Sequence, residues 1–165
     1  MGPTTQPSVL VVDDDLQILQ LIEIVLSRAG LTVEAVSNGS VANDRLAETD
    51  YAAIVLDLTM PLISGFEVLS RLKRIKPQML SRVVVITAMT DTGVRRLNRS
   101  LIYSVVSKPF DIAKMTETVK KCIGDHEQPI EAIPERVPIK TTPPASTDPA
   151  PPADDSPPPK TVDTR

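Results

Sequence analysis

Four short stretches of this chain run from apolar residues straight into groups that can do chemistry. They are Val11-Val12-Asp13-Asp14-Asp15, Val55-Leu56-Asp57-Leu58-Thr59-Met60-Pro61, Ile86-Thr87, and Val106-Ser107-Lys108-Pro109. If the apolar runs are buried strands of one open α/β sheet, their polar ends share the edge where such sheets bind ligands. Carboxylates gathered there repel and raise one another's pKa unless a cation joins them. Hard oxygen ligands suit Mg²⁺, which usually takes one or two carboxylates together with waters and a phosphate. Lys108 offers a compact positive charge for a phosphoryl oxygen, and Thr87 a hydroxyl for a second one. An accessible carboxylate beside a metal can act as a nucleophile toward phosphorus and form an aspartyl phosphate. Phosphoryl transfer asks mainly for positioning and charge neutralisation, and this set supplies both.

The elements that must hold these groups can be read from the pattern. Ser8–Val12 predicts a first strand. Leu16–Ala29 has apolar residues at helical spacing and ends at Gly30, a C-terminal cap. Leu31–Val36 alternates as a strand at or near a sheet edge, and Asn38-Gly39-Ser40 turns into a helix running to Glu48. The run Ile54-Val55-Leu56-Asp57 is a strand buried on both faces and halted before Pro61. Phe66–Ile75 predicts a helix stopped by Pro77, and Arg82–Thr87 another buried strand. A basic helix over Thr92–Ser100 is expected next, with Arg95, Arg96 and Arg99 as a solvated face. Tyr103–Ser107 is the last strand and Ile112–Ile123 the last helix, with Lys120 and Lys121 where the helix dipole favours cations. Strand and helix alternate throughout. The expected fold is α/β and doubly wound, a five-stranded parallel sheet in order 2-1-3-4-5 with helices on both faces.

Composition divides the chain near Gly124. Residues 124–165 hold 11 of the 16 prolines, and with so little apolar content they predict an extended, disordered tail rather than a core. The segment from Ile130 to Ile139 is its one apolar stretch. The expected organisation is an N-terminal extension over 1–7, a domain over 8–123 and a Pro-rich tail over 124–165. Residues 1–123 carry 14 basic and 13 acidic side chains, so this part offers no general attraction to nucleic acid. No run approaches the ~20 apolar residues of a membrane span, and Met1–Pro7 lacks the apolar centre of a signal peptide. Cys122, without a second cysteine to pair with, fits a reducing compartment. The expectation is a cytoplasmic protein without membrane insertion.

The ordered set Val11-Val12-Asp13-Asp14, Asp57-Leu58-Thr59-Met60-Pro61 with Gly65, Thr87-Ala88 and Lys108-Pro109-Phe110 resembles the receiver domain of two-component response regulators, a flavodoxin-like fold shared with the chemotaxis regulator. The resemblance covers about residues 8–123. It implies that Asp57 is the phosphoacceptor, that Asp13, Asp14, Asp57 and the backbone carbonyl of Thr59 hold Mg²⁺, and that Thr87 and Lys108 contact the phosphoryl group. It also implies a cis Lys108–Pro109 bond. The phosphate would come from a sensor histidine kinase or a histidine phosphotransfer protein, with His126 of this chain a bystander. Asp15 is assigned to capping the first helix. Such a protein is a phosphorylated signalling domain rather than an enzyme with turnover. With no helix-turn-helix pattern in residues 124–165, output is expected through protein–protein binding to a downstream target.

Other readings fit less well. A flavodoxin-type electron carrier needs a hydroxyl-rich phosphate loop after the first strand, where this chain has Asp13-Asp14-Asp15. A haloacid-dehalogenase-type phosphatase needs a second aspartate two residues after the nucleophile, and here Thr59 stands there. A receiver-like interaction scaffold with weak or no switching is the alternative reading. The chain departs from the family pattern after Thr87: the aromatic residue usual three places before the lysine is replaced by Val105, and the segment between Thr87 and Lys108 is slightly short and lacks the glycine usual before the fifth strand. Tyr103 has the same strand parity as Val105 and is the candidate to replace the missing ring.

Overall fold

The strands expected to be apolar on both faces are covered on both faces. The computed structural model describes residues 7–89 and 97–127. Among the described residues, β1 (Ser8–Val12), β2 (Thr32–Val36), β3 (Ala53–Asp57), β4 (Val83–Thr87) and β5 (Ser104–Ser107) form one five-stranded sheet in the order β2-β1-β3-β4-β5. Every pairing in it is parallel. The helices among the described residues are α1 (Leu16–Arg28), α2 (Gly39–Glu48), α3 (Gly65–Ile75) and α4 (Ile112–Glu127), and a 3-10 turn at Pro77–Arg82 leads into β4.

Alternation along the strands sorts the core into two layers. Leu10, Val12, Ile54, Leu56, Val83 and Val85 pack with Ala42 and Leu46 of α2 and Val68 and Leu72 of α3. Val9, Val11, Val55, Val84 and Ile86 pack with Ile22 and Leu26 of α1 and Met115 and Val119 of α4. All residues of β3 and β4 are buried. Each fully buried Val, Leu or Ile side chain contributes about 1.5–3 kcal/mol, so these two strands fix the register of everything at their ends. The edge strand β2 is only partly buried, as its mixed sequence predicts.

The helix ends follow from local chemistry. Asp15 caps α1, its Oδ1 accepting from the Gln17 and Ile18 amides at 2.9 and 3.3 Å. Beyond the last turn Gly30 takes φ +86°, and the Gly30 and Leu31 amides return to the Ser27 and Leu26 carbonyls. This is a Schellman closure, and it delays β2 to Thr32 rather than Leu31. Ser64 and Glu67 cap α3 reciprocally, which starts that helix one residue ahead of Phe66.

One expectation falls largely outside the described residues, and one changes. The helix expected over Thr92–Ser100 falls largely outside the described residues, and its described end at 97–100 is bend and turn. There the Asn98 side chain accepts from both the amide and the hydroxyl of Ser100, a local bond that competes with helix. The last helix, expected to stop at Ile123, continues through Gly124 to Glu127. Side-chain bonds hold that extra turn: Tyr103 Oη donates to Asp125 at 2.6 Å, and His126 Nε2 is 3.0 Å from Ser81 Oγ. The Pro-rich tail, with its Ile130–Ile139 stretch, lies outside the described residues.

Candidate functional site

Register alone brings the acidic residues together. Val12 pairs with Leu56 across β1 and β3, so Asp13, one step beyond, lies beside Asp57. Asp57 pairs with Ile86, which sets Thr87 one step further along β4. Thr87 in turn pairs with Ser107, and its carbonyl accepts from the Lys108 amide at 2.8 Å. Three strand ends and one strand exit thus converge on one sheet edge.

The side chains close on each other there. Lys108 Nζ donates to Asp13 Oδ2 at 2.7 Å and to Asp57 Oδ2 at 2.9 Å. Asp13 and Thr87 are fully buried and Asp57 nearly so, while Asp14 is exposed. One carboxylate oxygen from each of Asp13, Asp14 and Asp57 fits within 4.8 Å of the others. Burial pushes the Asp13 carboxyl above its ordinary value, and its bond to Lys108 opposes that push. For Lys108, burial alone would favour loss of the proton, but the bonds to Asp13 and Asp57 outweigh it and hold the ammonium above its usual value. The pair therefore keeps its cation firmly. Three carboxylates beside a single ammonium still leave an excess of negative charge, and an all-oxygen donor set with that excess suits a small divalent cation.

The remaining bonds orient the reacting groups. Asp57 Oδ1 accepts from the Thr59 amide at 3.0 Å, and Asp13 Oδ1 from the Asp15 amide at 2.9 Å. Thr87 Oγ1 accepts from the Met89 amide at 3.1 Å and lies 3.5 Å from Thr59 Oγ1. The loop after β3 is held close to the sheet by Gly65, whose amide bonds the Leu58 carbonyl at 3.1 Å. A Cβ at Gly65 would collide with the Asp57 carbonyl oxygen and come within 2.7 Å of Leu58 Cα, so only glycine fits. In the same loop Leu62 takes φ +65° and is 98% exposed. The Lys108–Pro109 peptide is cis.

All five side chains singled out from the sequence, Asp13, Asp14, Asp57, Thr87 and Lys108, meet at this edge. Asp15 instead faces the start of α1 as its cap. Tyr103 and Val105 lie on different layers of the sheet. Tyr103 precedes β5, so strand parity does not apply to it, and it packs on the α1–α4 layer while Val105 packs on the α2–α3 layer. By the resemblance, Thr59 and Met89, two places after Asp57 and Thr87, flank the path of the hydrolytic water, but no bond to Thr87 was expected of the Thr59 hydroxyl. Its proximity to Thr87 depends on loop conformation, and only its place two residues after Asp57 hinted at it.

The sheet order and the strand-end cluster define a receiver-type α/β domain. Residues 9–120 match the sequence profile of the response regulator receiver domain, and the chain belongs to that family. The transcriptional regulatory protein GltR of Pseudomonas aeruginosa is 30% identical over 114 residues, covering 68% of this chain and 47% of that protein. The DNA-binding transcriptional regulator NtrC of Azospirillum brasilense is 27% identical over 124 residues, 74% of this chain and 25% of that protein. The chain thus spans a quarter to about half the length of these curated relatives. Among solved structures, the response regulator TrrA of Thermotoga maritima in complex with Mg²⁺-BeF superimposes with a TM-score of 0.63 at 28% identity, covering 71% of this chain and 99% of that one. A Francisella response regulator receiver domain shares the fold with a TM-score of 0.68. Among the described residues, no helix is long and apolar enough to cross a membrane.

Proposed function

We propose that Asp57 accepts a phosphoryl group from a phosphohistidine on a partner, a sensor histidine kinase or a histidine phosphotransfer protein. The observation that carries this reading is the Lys108 ammonium bonded at once to Asp13 and Asp57 beneath a three-carboxylate edge. An Asp57 carboxylate oxygen attacks phosphorus, the phosphorus–nitrogen bond breaks, and the imidazole nitrogen leaves with the bond's electron pair and takes up a proton. The product is an acyl phosphate on Asp57. Lys108 shifts its bond from the Asp57 carboxylate to a phosphoryl oxygen, and the Thr87 hydroxyl donates to another.

Asp13, Asp14, Asp57 and the Thr59 carbonyl would hold Mg²⁺, which when bound neutralises charge on the phosphoryl oxygens. The donor set fits such an ion, and the Mg²⁺-BeF complex of the related TrrA supports the assignment. The phosphorylated domain then signals by protein contact, and the reading places the chain in the cytoplasm beside its kinase. Residues 8–123 with the last turn of α4 form the receiver domain. The alternative, a receiver-like scaffold that switches weakly, is favoured by one observation, the small Val105 facing the α2–α3 layer.

Incubation with acetyl phosphate and Mg²⁺, followed by borohydride trapping and mass spectrometry, tests the assignment. Modification is expected at Asp57 and is expected to vanish without Mg²⁺. Label persisting at an unchanged rate in Asp57→Ala overturns it.

A further inference from the structure

We infer that Thr59 is a positioning residue: its hydroxyl holds Thr87 in the resting rotamer and thereby sets how readily the domain enters its phosphorylated state. The inference rests on the reading of Asp57 as phosphoacceptor. Thr87 is fully buried, and its Oγ1 already accepts from the Met89 amide. Its one hydroxyl hydrogen still needs an acceptor, because buried polar groups are almost always paired. Among the described residues the acceptor is Thr59 Oγ1 at 3.5 Å. Thr59 itself is exposed, so its own hydrogen is free to bond water. With Thr87 donating to Thr59, both hydroxyl hydrogens find a partner, and this is the direction the inference takes.

Thr59 also donates its backbone amide to Asp57 Oδ1. One residue thus touches both groups that must respond to phosphate, Asp57 through its backbone and Thr87 through its side chain. At 3.5 Å the hydroxyl bond is long and weak. A phosphoryl oxygen on Asp57 is a charged acceptor and competes for the same hydrogen with a shorter, stronger bond. The Thr59 bond exists in the resting state and is exchanged in the phosphorylated one. A contact made in only one of two states shifts the equilibrium between them. Removing it takes away the one acceptor that the Thr87 hydroxyl has among the described residues at rest, and favours the phosphorylated arrangement by roughly two- to tenfold.

The test compares wild type, Thr59→Val and Thr59→Ser, all of which keep the Thr59 backbone amide and carbonyl. The first readout needs no phosphate: the Thr87 χ1 angle from three-bond couplings to its methyl carbon. A single rotamer is expected in wild type and Thr59→Ser, and rotamer averaging in Thr59→Val. The second is the affinity for beryllofluoride in Mg²⁺, expected about two- to tenfold tighter in Thr59→Val and unchanged in Thr59→Ser. An unchanged χ1 in Thr59→Val, or averaging without tighter beryllofluoride binding, overturns the inference. If wild type takes up neither beryllofluoride nor label from acetyl phosphate, the phosphoacceptor reading fails instead, and χ1 alone decides whether Thr59 holds Thr87.

Discussion

Lys108 Nζ and the Asp13 carboxylate, 95 residues apart in sequence, are 2.7 Å apart at the sheet edge, with Asp13 fully buried. The second bond of Lys108, to Asp57, makes it the shared counter-charge of two buried acids. Removing one partner of a buried ion pair is far costlier than the pair's net contribution, because a charge is stranded away from water.

Lys108→Met is therefore expected to destabilise the metal-free domain by about 3 kcal/mol at neutral pH, somewhat less if water reaches the gap. Saturating Mg²⁺ should restore part of that, since the cation replaces the lost charge. Urea unfolding in chelator and in Mg²⁺ measures both. Equal stability of the two proteins in chelator would show that Asp13 and Asp57 do not depend on the ammonium.

Asp14 and Asp15 are neighbours with opposite expected effects. Asp15 caps α1, and asparagine caps a helix about as well, so Asp15→Asn should change neither stability nor Mg²⁺ binding. Asp15→Ala should cost about 1 kcal/mol of stability. Asp14 is exposed at the carboxylate edge and has no cap to make, so Asp14→Asn should weaken Mg²⁺ binding. Ligand at tenfold its Kd stabilises by about 1.4 kcal/mol, enough to read as a thermal shift. A larger loss of that shift in Asp15→Asn than in Asp14→Asn would reverse the two roles.

The site was more legible than the surface around it, for a physical reason. Asp13, Asp57 and Thr87 each end a run of buried β residues, where the change from apolar to polar is abrupt, and Lys108 follows the half-buried β5. Parallel register then carries those ends to one edge without further information. Tyr103 was illegible because parity holds only inside a strand, and β5 begins one residue later. The Asn98 turn was illegible for a similar reason: a side chain bonding its own neighbours overrides helical spacing. The need for Gly65 appears only once the loop lies against the Asp57 carbonyl.

The extra turn of α4 sets where the receiver can be cut. Asp125 and His126 bond Tyr103 and Ser81, so a chain ending at residue 124 loses both anchors. A 1–127 chain should melt within about 2 °C of the full protein, because a mutation-sized 1 kcal/mol would already move a domain of this size by several degrees. A 1–124 chain should melt measurably lower. A large loss in 1–127 would place stabilising contacts in residues 128–165.

Met89 bears on how long the phosphate lasts. Its amide bonds Thr87 Oγ1, while its side chain packs against the α2–α3 layer and offers no group to orient a water. The acyl phosphate is therefore expected to be long-lived, and Met89→Glu to shorten its life by supplying a carboxylate beside the Thr87 end of the site. Loss of label from trapped protein over time gives both rates. A slower decay in Met89→Glu contradicts the idea.

Val105 bears on how far the signal travels. On the proposed reading, a phosphoryl group on Asp57 would add about −1.5 to −2 charges and draw Thr87 toward it, leaving room on the α2–α3 side of the sheet. Val105 faces that side but is too small to fill the space with a ring. Tyr103 is engaged elsewhere: its ring lies 6.2 Å from that of His126 and its hydroxyl is bonded to Asp125 on α4. Accepting that bond, the Asp125 carboxylate pushes the Tyr103 hydroxyl up to about 12. A modification moves an equilibrium only by its differential free energy, and reversing a ~99:1 ratio takes about 5.5 kcal/mol. Losing about 1.4 kcal/mol of ring burial leaves roughly tenfold less of the active form relative to the inactive one. Amide chemical shifts on phosphorylation should thus change incompletely around β5 in wild type, identically in Tyr103→Phe, and more completely in Val105→Tyr. A complete change in wild type that Tyr103→Phe abolishes would return the switching role to Tyr103.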